Sequence, residues 1–113
     1  MKLSAKEVDA IVVLSLNGSV MGGPDASALN DELHKLVAKK KKKVVLDLSG
    51  VQSMNSSGLG MLIGALTTMK NAGGELKIAA PSSKIENLLV ITKLTTVFEL
   101  YPSVKKAVES FAK

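Results

Sequence analysis

Val44–Gly60, which reads VVLDLSGVQSMNSSGLG, is the stretch that decides the fold of this chain. It opens with Val44–Leu48, an apolar run rich in β-branched residues that is typical of a buried strand. The polar residues Ser49–Met54 predict a loop, and a Ser-rich segment then leads into apolar residues at helical spacing. Those apolar residues are Leu59, Leu62, Ile63, Leu66 and Met69. The stretch therefore predicts a strand, a loop and an amphipathic helix in succession.

The start of the predicted helix carries two adjacent hydroxyl groups. Asn55 or Ser56 can cap the helix by accepting hydrogen bonds from its first free N–H groups. Ser57 falls in the first turn, where the helix dipole presents partial positive charge and would tolerate a phosphate on the hydroxyl. The spacing alone favours plain capping by the Ser56–Ser57 pair, and a regulatory modification of Ser57 is the alternative.

Asp47–Ser49, Val51 and Met54–Gly60 together resemble the signature of the anti-sigma-factor antagonists, the single-domain bacterial STAS proteins. The resemblance covers nearly the whole chain and implies one STAS domain over residues 1–113. It maps the family's phosphorylated hydroxyl onto Ser57. One departure stands out, because the family usually has Asp where this chain has Asn55. Asn still caps a helix well, but it lacks the negative charge, so kinase recognition or phosphate turnover would differ.

The resemblance also implies partners. The unphosphorylated protein would bind an anti-sigma factor that is also a serine kinase, of the histidine-kinase-like ATPase fold, and so free a sigma factor. Phosphorylation at Ser57 would release that kinase, and a PP2C-type phosphatase would reset the cycle. We expect eight residues to form the partner-binding surface: Met54, Asn55, Ser56, Ser57, Gly58, Met61, Gly22 and Gly23.

Three arguments support the less obvious members of that set. Met54 and Met61 flank Ser57, where a helix start cannot fully bury them, and methionine suits adaptable contact surfaces. Packing of both residues in the core is the equal alternative. Gly58 would let the backbone approach the partner closely. Gly22 and Gly23 lie in the turn before the first helix, which the resemblance places on the same surface.

The remaining patterns alternate between strands and helices. Residues 2–8 and Ile11–Leu16 predict an antiparallel hairpin, with Asn17–Gly18 as the turn that closes the second strand. The other predicted elements are strands at 44–48, 75–80 and 97–100 and helices at about 24–40, 56–70, 82–91 and 102–111. Such alternation implies parallel pairing through right-handed crossovers. The expected fold is therefore α/β and STAS-like, a mostly parallel mixed sheet with an N-terminal antiparallel hairpin, covered by about four helices.

Composition sets further limits on the class of protein. The chain has 113 residues, 46% of them hydrophobic, which suits one domain with an aliphatic core. It has no Cys, so disulfides and thiol metal sites are excluded. No apolar run approaches the roughly 20 residues of a membrane span, and the N-terminus lacks the apolar region of a signal peptide. We therefore expect a cytoplasmic protein without membrane insertion, and the low aromatic content favours a monomer when free.

The net charge of +5 is unevenly distributed, since Lys39–Lys43 is an unbroken run of five lysines. A solvated helix end is the ordinary interpretation. The alternatives are contact with a phosphate backbone or with anionic lipid. No aromatic residue is interleaved for base stacking, so we expect no nucleic-acid partner.

Catalysis is not expected. A serine between a strand and a helix is similar to a nucleophile elbow, but Asn55 replaces the glycine needed two residues before Ser57. His34 is the only histidine and lies in the first helix, so no base is evident. With one His and no Cys, no metal site is expected, and the helix dipole explains the acidic cluster of Asp25, Asp31 and Glu32.

No cofactor is expected either. Gly58, Gly60 and Gly64 come close to a dinucleotide fingerprint, but the third glycine is out of place and the acidic ribose ligand is missing. Gly60 and Gly64 instead predict close packing by another chain element. Two functional alternatives stay open. One is a STAS subunit that docks constitutively in a transport or signalling assembly, and the other is a small nucleotide-binding module.

Overall fold

A computed structural model describes residues 1–112 and shows a five-stranded sheet with the strand order β1-β2-β3-β4-β5. The strands are β1 Lys2–Val8, β2 Ile11–Val20, β3 Lys43–Met54, β4 Glu75–Ala79 and β5 Leu100–Tyr101. The helices are α1 Pro24–Ala38, α2 Ser56–Asn71, α3 Ser83–Ile91 and α4 Val104–Ser110, with a short 3-10 turn at Leu94–Thr96.

The sheet is mixed, as the sequence predicts. β1 pairs antiparallel with β2, whereas β2, β3, β4 and β5 pair in parallel. Asp9 and Ala10 form the hairpin turn with φ values of 52° and 67°, the positive pair that a two-residue turn of type I′ requires. Each parallel connection passes through one helix, as crossovers between parallel strands do. The predicted fold class is confirmed.

The helices lie on the two faces of the sheet unequally. α1, α2 and α3 cover one face, where Leu14, Leu46 and Ile78 join the main core. The alternate strand residues Val13 and Val45 point to the opposite face. On that face Val13 and Val45 pack against the predicted apolar stripe of α4, which is formed by Val104, Ala107, Val108 and Phe111. This alternation follows from the two-residue period of a strand.

A buried lysine helps to hold α4 on the sheet. Lys77, in β4, is one of the few charged side chains inside the molecule. Its Nζ donates a hydrogen bond to Ser110 Oγ at 2.7 Å and lies 4.1 Å from the centre of the Phe111 ring. Glu99 approaches the same Nζ at 3.7 Å. The charge is therefore paired and stacked, as a buried cation must be.

Two predicted strand ends are wrong, and both strands are longer. Asn17–Gly18 is not a closing turn, since β2 continues to Val20 with a register irregularity at Gly18, whose φ is 93°. Ser49–Met54 is not a loop but the second half of β3, paired with the end of β2. Ser49, Gln52 and Ser53 are polar and lie at exposed or half-buried positions, whereas Val51 is buried. This half-solvated strand pattern reads as a loop in sequence.

The predicted last strand at 97–100 is also misplaced. The chain forms a 3-10 turn at Leu94–Thr96, buries Phe98 in the main core, and pairs with β4 only at Leu100–Tyr101. Burial of the Phe98 ring and the hydrogen bond from the Ile78 N–H to the Glu99 carbonyl, at 2.9 Å, both hold this segment in place. The final helix begins two residues after Pro102, because Ser103 Oγ accepts from the Lys106 N–H at 3.1 Å and caps it.

Candidate functional site

The candidate site forms where β2 and β3 end side by side. Val20 pairs with Met54, and the Asn55 N–H donates to the Val20 carbonyl at 3.4 Å. The segments that lead into α1 and α2 therefore meet. A Cβ atom added to Gly22 would lie 2.7 Å from Ser57 Cβ. The first turns of both helices thus flank Ser57, and each directs its partially positive end toward this edge of the sheet.

Asn55 caps α2. Its Oδ1 accepts a hydrogen bond from the Gly58 N–H at 2.8 Å, and its backbone is extended, as the residue before a helix requires. This geometry selects Asn55 over Ser56 as the cap. The hydroxyl of Ser57 is consequently not needed for capping, and its side chain is exposed in the first turn.

Removing this cap tests its contribution to stability. We expect Asn55→Ala to lower the free energy of unfolding by about 1 kcal/mol, because one first-turn N–H loses its acceptor. Asn55→Asp should keep the cap and the stability. Urea denaturation measures both. Asn87→Ala, at an exposed position within α3, is the matched control and should leave stability within about 0.5 kcal/mol of wild type. An equal loss in both alanine variants would contradict the capping role.

Gly58 is needed for packing within this chain, a role that the sequence did not predict. It is buried, and a Cβ atom there would lie 2.1 Å from the Val20 carbonyl oxygen and 2.8 Å from Met54 Cγ. Its missing side chain therefore lets α2 approach the end of β2 in the same chain. Packing within this chain therefore accounts for Gly58, and its close approach to a partner stays a prediction.

Three other predicted surface residues are less accessible than expected. Met61 is only 7% exposed and belongs to the main core, so the premise for its place on a partner surface is wrong. Gly22 is buried against Ser57. Met54 is partly buried and packs on the core, whereas Gly23 is exposed as predicted.

Two apolar residues outside the predicted partner-binding set are exposed, one before α1 and one midway along α2. Met21 is 43% exposed and directly precedes Gly22, and Ile63 is 39% exposed on α2. In the sequence, Met21 follows a predicted turn, and Ile63 falls within the predicted apolar stripe. Predicting that Met21 and Ile63 are exposed to solvent requires knowing where β2 ends and which face of α2 points toward the core.

The exposed face of α2 is uncharged over most of its length. Its members before the last turn are Ser56, Ser57, Gly60, Ile63, Gly64 and Thr67, and the first charged residue of the helix is Lys70. Solvent-facing helix surfaces normally carry charged side chains. We call the exposed residues Met21, Gly23, Asn55, Ser56, Ser57, Gly60 and Ile63 the serine surface.

Gly60 and Gly64 do not pack against another element. A Cβ atom at either position would meet no atom of another element within 4 Å among the residues described, so the prediction of close packing is wrong within this chain. They line an open groove of about 430 Å³ between α1 and α2, beside Ala26, Ser27 and Asn30. The Thr68 hydroxyl donates to Asn30 Oδ1 at 3.1 Å and joins the two helices there.

The surroundings of Ser57 offer no catalytic partner. His34 shares a depression with Thr68 and Asn71, toward the far end of α2. Eleven residues separate Ser57 from Thr68, a rise of about 16 Å along a helix, so His34 is out of reach. Within residues 1–112 no three His, Asp or Glu side chains gather as metal ligands would. The groove between α1 and α2 is lined by uncharged residues, so it supplies no cation for a nucleotide phosphate.

No helix in residues 1–112 combines the length and apolar character that crossing a bilayer requires.

This chain resembles known proteins in both sequence and fold. A Thermotoga maritima protein named as a candidate anti-sigma factor antagonist is 28% identical over 110 residues, 92% of each chain. The crystal structure of a Thermotoga maritima protein of the same description superposes with a TM-score of 0.87 at 26% identity, covering 98% of this chain and 95% of that one. The Bacillus protein SpoIIAA, solved in its phosphorylated form, superposes with a TM-score of 0.74 over 97% of this chain and 99% of its own. At 14% identity, that last likeness shows the fold alone.

The sequence profile of the STAS domain matches residues 2–107, from the first strand into α4. The matched range contains the whole sheet, the three helices that cover its main face and the serine surface. This chain therefore belongs to the STAS domain family.

Proposed function

We propose that this chain is an anti-sigma factor antagonist whose binding to an anti-sigma factor is switched off by phosphorylation of Ser57. The observation that carries the proposal is the exposure of Ser57 at the start of α2, on a helix face that carries no charged side chain before Lys70. The names of the relatives from Thermotoga maritima support the choice of partner. The partner would be a serine kinase of the histidine-kinase-like ATPase fold, and its capture would free a sigma factor.

The composition of the serine surface suits a protein interface. Met21 and Ile63 provide exposed apolar area, and Ser56, Ser57 and Asn55 provide neutral hydrogen-bonding groups around it. The cores of protein interfaces are depleted in charge and enriched in Met and aromatic residues. Closing a partner over this surface would therefore desolvate few charged groups.

A phosphate on Ser57 would change this balance. It adds about −1.5 to −2 charges and three acceptor oxygens at pH 7. In the free protein the added charge stays in water beside two helix N-termini, which stabilise it. Under a docked partner the same charge would lose its water, and the exposed face of α2 offers no cation before Lys70 to pair with it. An unpaired buried charge is strongly destabilising, so binding is lost without any change of fold.

SpoIIAA shows that the same fold accommodates phosphorylation in that protein. A PP2C-type phosphatase would remove the phosphate here and restore binding. Asn55 caps the helix as an Asp would, so the departure from the family pattern leaves the structure of the loop intact. Any effect of the missing charge would fall on kinase recognition or on the rate of phosphate turnover.

The direct test is incubation of the protein with its cognate anti-sigma kinase and Mg-ATP, followed by mass spectrometry of its peptides. We expect one phosphate, on Ser57, and none on Ser57→Ala. Ser56→Ala should still be phosphorylated at Ser57, since its hydroxyl does not form the cap. Phosphate on another residue, or none together with no binding to the kinase, would contradict the proposal.

Constitutive docking in a larger assembly is the competing function. It requires binding that is insensitive to charge at Ser57, so the comparison of charged and neutral variants at this position separates the two.

A further inference from the structure

The end of the molecule opposite Ser57 is strongly basic. α1, α2 and α3 all end there, because each runs antiparallel to the strands it connects, and β3 begins there. Six exposed lysines lie at these helix ends and in the turns that follow them: Lys39, Lys40, Lys42, Lys43, Lys70 and Lys93. We call this the helix-end surface.

Neighbouring contacts bring these lysines together. The Glu75 N–H donates to the Lys42 carbonyl at 2.8 Å, which ties the turn after α1 to the start of β4. Lys70 and Glu75 in turn line one depression with Val97. Four carboxylates also lie at these strand ends, on Glu7, Asp9, Glu75 and Glu99. Glu7 is paired with Lys41, and Glu99 is paired with Lys77. Seven lysines, with Lys41 included, thus face four carboxylates here.

Exposed aliphatic side chains lie on the same end. Ile91, the last residue of α3, is 77% exposed, and Val90 and Val97 are also exposed. The Lys93 N–H donates to the Val90 carbonyl at 3.0 Å, which keeps the lysine beside these residues. Charged and apolar groups therefore share one surface, and the solvation of a helix end explains only the lysines.

We propose that the helix-end surface docks on a membrane surface rich in anionic lipid headgroups. Lysines near such a surface each strengthen binding roughly fivefold. Aliphatic side chains that are exposed in water would enter the boundary between headgroups and acyl chains. The contact is peripheral, since only side chains reach the lipid and no helix crosses it. The serine surface, at the other end of β3, stays free.

The same lysines would attract nucleic acid, but the rest of the surface does not suit it. All 15 basic residues of the chain are lysines, so no guanidinium is available to read guanine edges. Phe98 is buried, and Tyr101 and Phe111 pack near Lys77 on the α4 side, so none of the three aromatic rings can stack on a base here. A phosphate backbone would also offer no apolar contact to the exposed side chains of Ile91, Val90 and Val97.

Sedimentation with vesicles tests the proposal. The protein is mixed, in 0.1 M NaCl, with vesicles of phosphatidylglycerol and phosphatidylcholine in equal amounts, or of phosphatidylcholine alone. We expect at least tenfold stronger binding to the anionic vesicles, and loss of most of it in 0.5 M NaCl because salt screens the charges. Lys40→Glu/Lys42→Glu should weaken the binding at least twentyfold, since about fivefold is lost per lysine.

Lys105→Glu/Lys106→Glu is the matched control, because it makes the same change of net charge on α4, across the sheet. It should bind within about threefold of wild type. Ile91→Ser should weaken binding severalfold and remove the part that resists salt. Circular dichroism confirms that each variant is folded.

Three results would overturn the proposal. One is equal binding to both vesicle types. Another is equal weakening by the two lysine pairs, which would indicate a response to net charge alone. The third is vesicle binding that Ile91→Ser leaves unchanged, together with binding to duplex DNA that is salt-sensitive and tighter than binding to the anionic vesicles. That result would assign the surface to nucleic acid.

Discussion

Ser57→Asp should bind the anti-sigma factor at least a hundredfold more weakly than wild type. The partner would enclose the carboxylate against the exposed face of α2, which carries no cation before Lys70. The expected cost of about 3 kcal/mol corresponds to more than a hundredfold in Kd. Ser57→Ala should bind within a few-fold of wild type, because the Ser57 hydroxyl is not the helix cap. Isothermal titration calorimetry of the variants with the purified anti-sigma factor measures the difference.

Ser83→Asp is the matched control for charge. Ser83 is likewise an exposed serine in the first turn of a helix, α3, behind a capping residue. Its carboxylate should leave the affinity unchanged. The thermal stability of both Asp variants should equal or slightly exceed that of wild type, since an anion at a helix N-terminus is favourable. Full affinity in Ser57→Asp would contradict the switch and favour constitutive docking.

Gly58→Ala and Gly60→Ala should change stability in opposite directions although they lie two residues apart. An added methyl group at Gly58 would lie 2.1 Å from the Val20 carbonyl oxygen, a backbone atom that cannot move aside cheaply. We expect a loss of about 3 kcal/mol, at the upper end for overpacking. At a scale of about 4 °C per kcal/mol, this lowers the Tm by about 12 °C.

A methyl group at Gly60 meets nothing within 4 Å. Alanine is favoured over glycine within a helix, so the variant should gain about 0.5–1 kcal/mol. Calorimetry or urea denaturation of both variants measures the two changes in stability. Gly64→Ala is a second control, because an added methyl group there also meets no neighbouring element, and its stability should rise by a similar amount. Similar losses at Gly58 and Gly60 would mean that α2 does not rest on the end of β2 as described.

The sequence was sufficient to predict the fold because local and global patterns agree. Val44–Leu48, the capped start of α2 and the spacing of Leu59, Leu62 and Leu66 each predict the element that forms. Element ends were harder to predict. Polar residues in Ser49–Met54 read as a loop, whereas the strand continues because Asn17–Val20 pairs beside it. Pairing over more than 30 residues of sequence separation leaves no local signal.

The candidate site was predicted in position but not in detail. Asn55 and Ser57 follow from capping preferences and from the resemblance of the motif. The accessibility of Met61 and Gly58 depends on the rotation of α2 about its axis, and that rotation is set by contacts with Val20 and Met54. The exposure of Met21 follows from the end of β2 at Val20, which the sequence pattern does not indicate. The sequence thus indicated which segments meet at the candidate site, and packing decides which of their residues face outward.

Hydrogen–deuterium exchange on the complex with the anti-sigma factor tests the central claim most directly. Peptides that cover residues 20–24 and 55–64 should become protected when the complex forms, while residues 39–43 and α4 should exchange as in the free protein. Stoichiometric phosphorylation of Ser57 should abolish that protection at the same protein concentrations. Protection confined to α3 or α4, or protection near Ser57 that survives phosphorylation, would contradict the account.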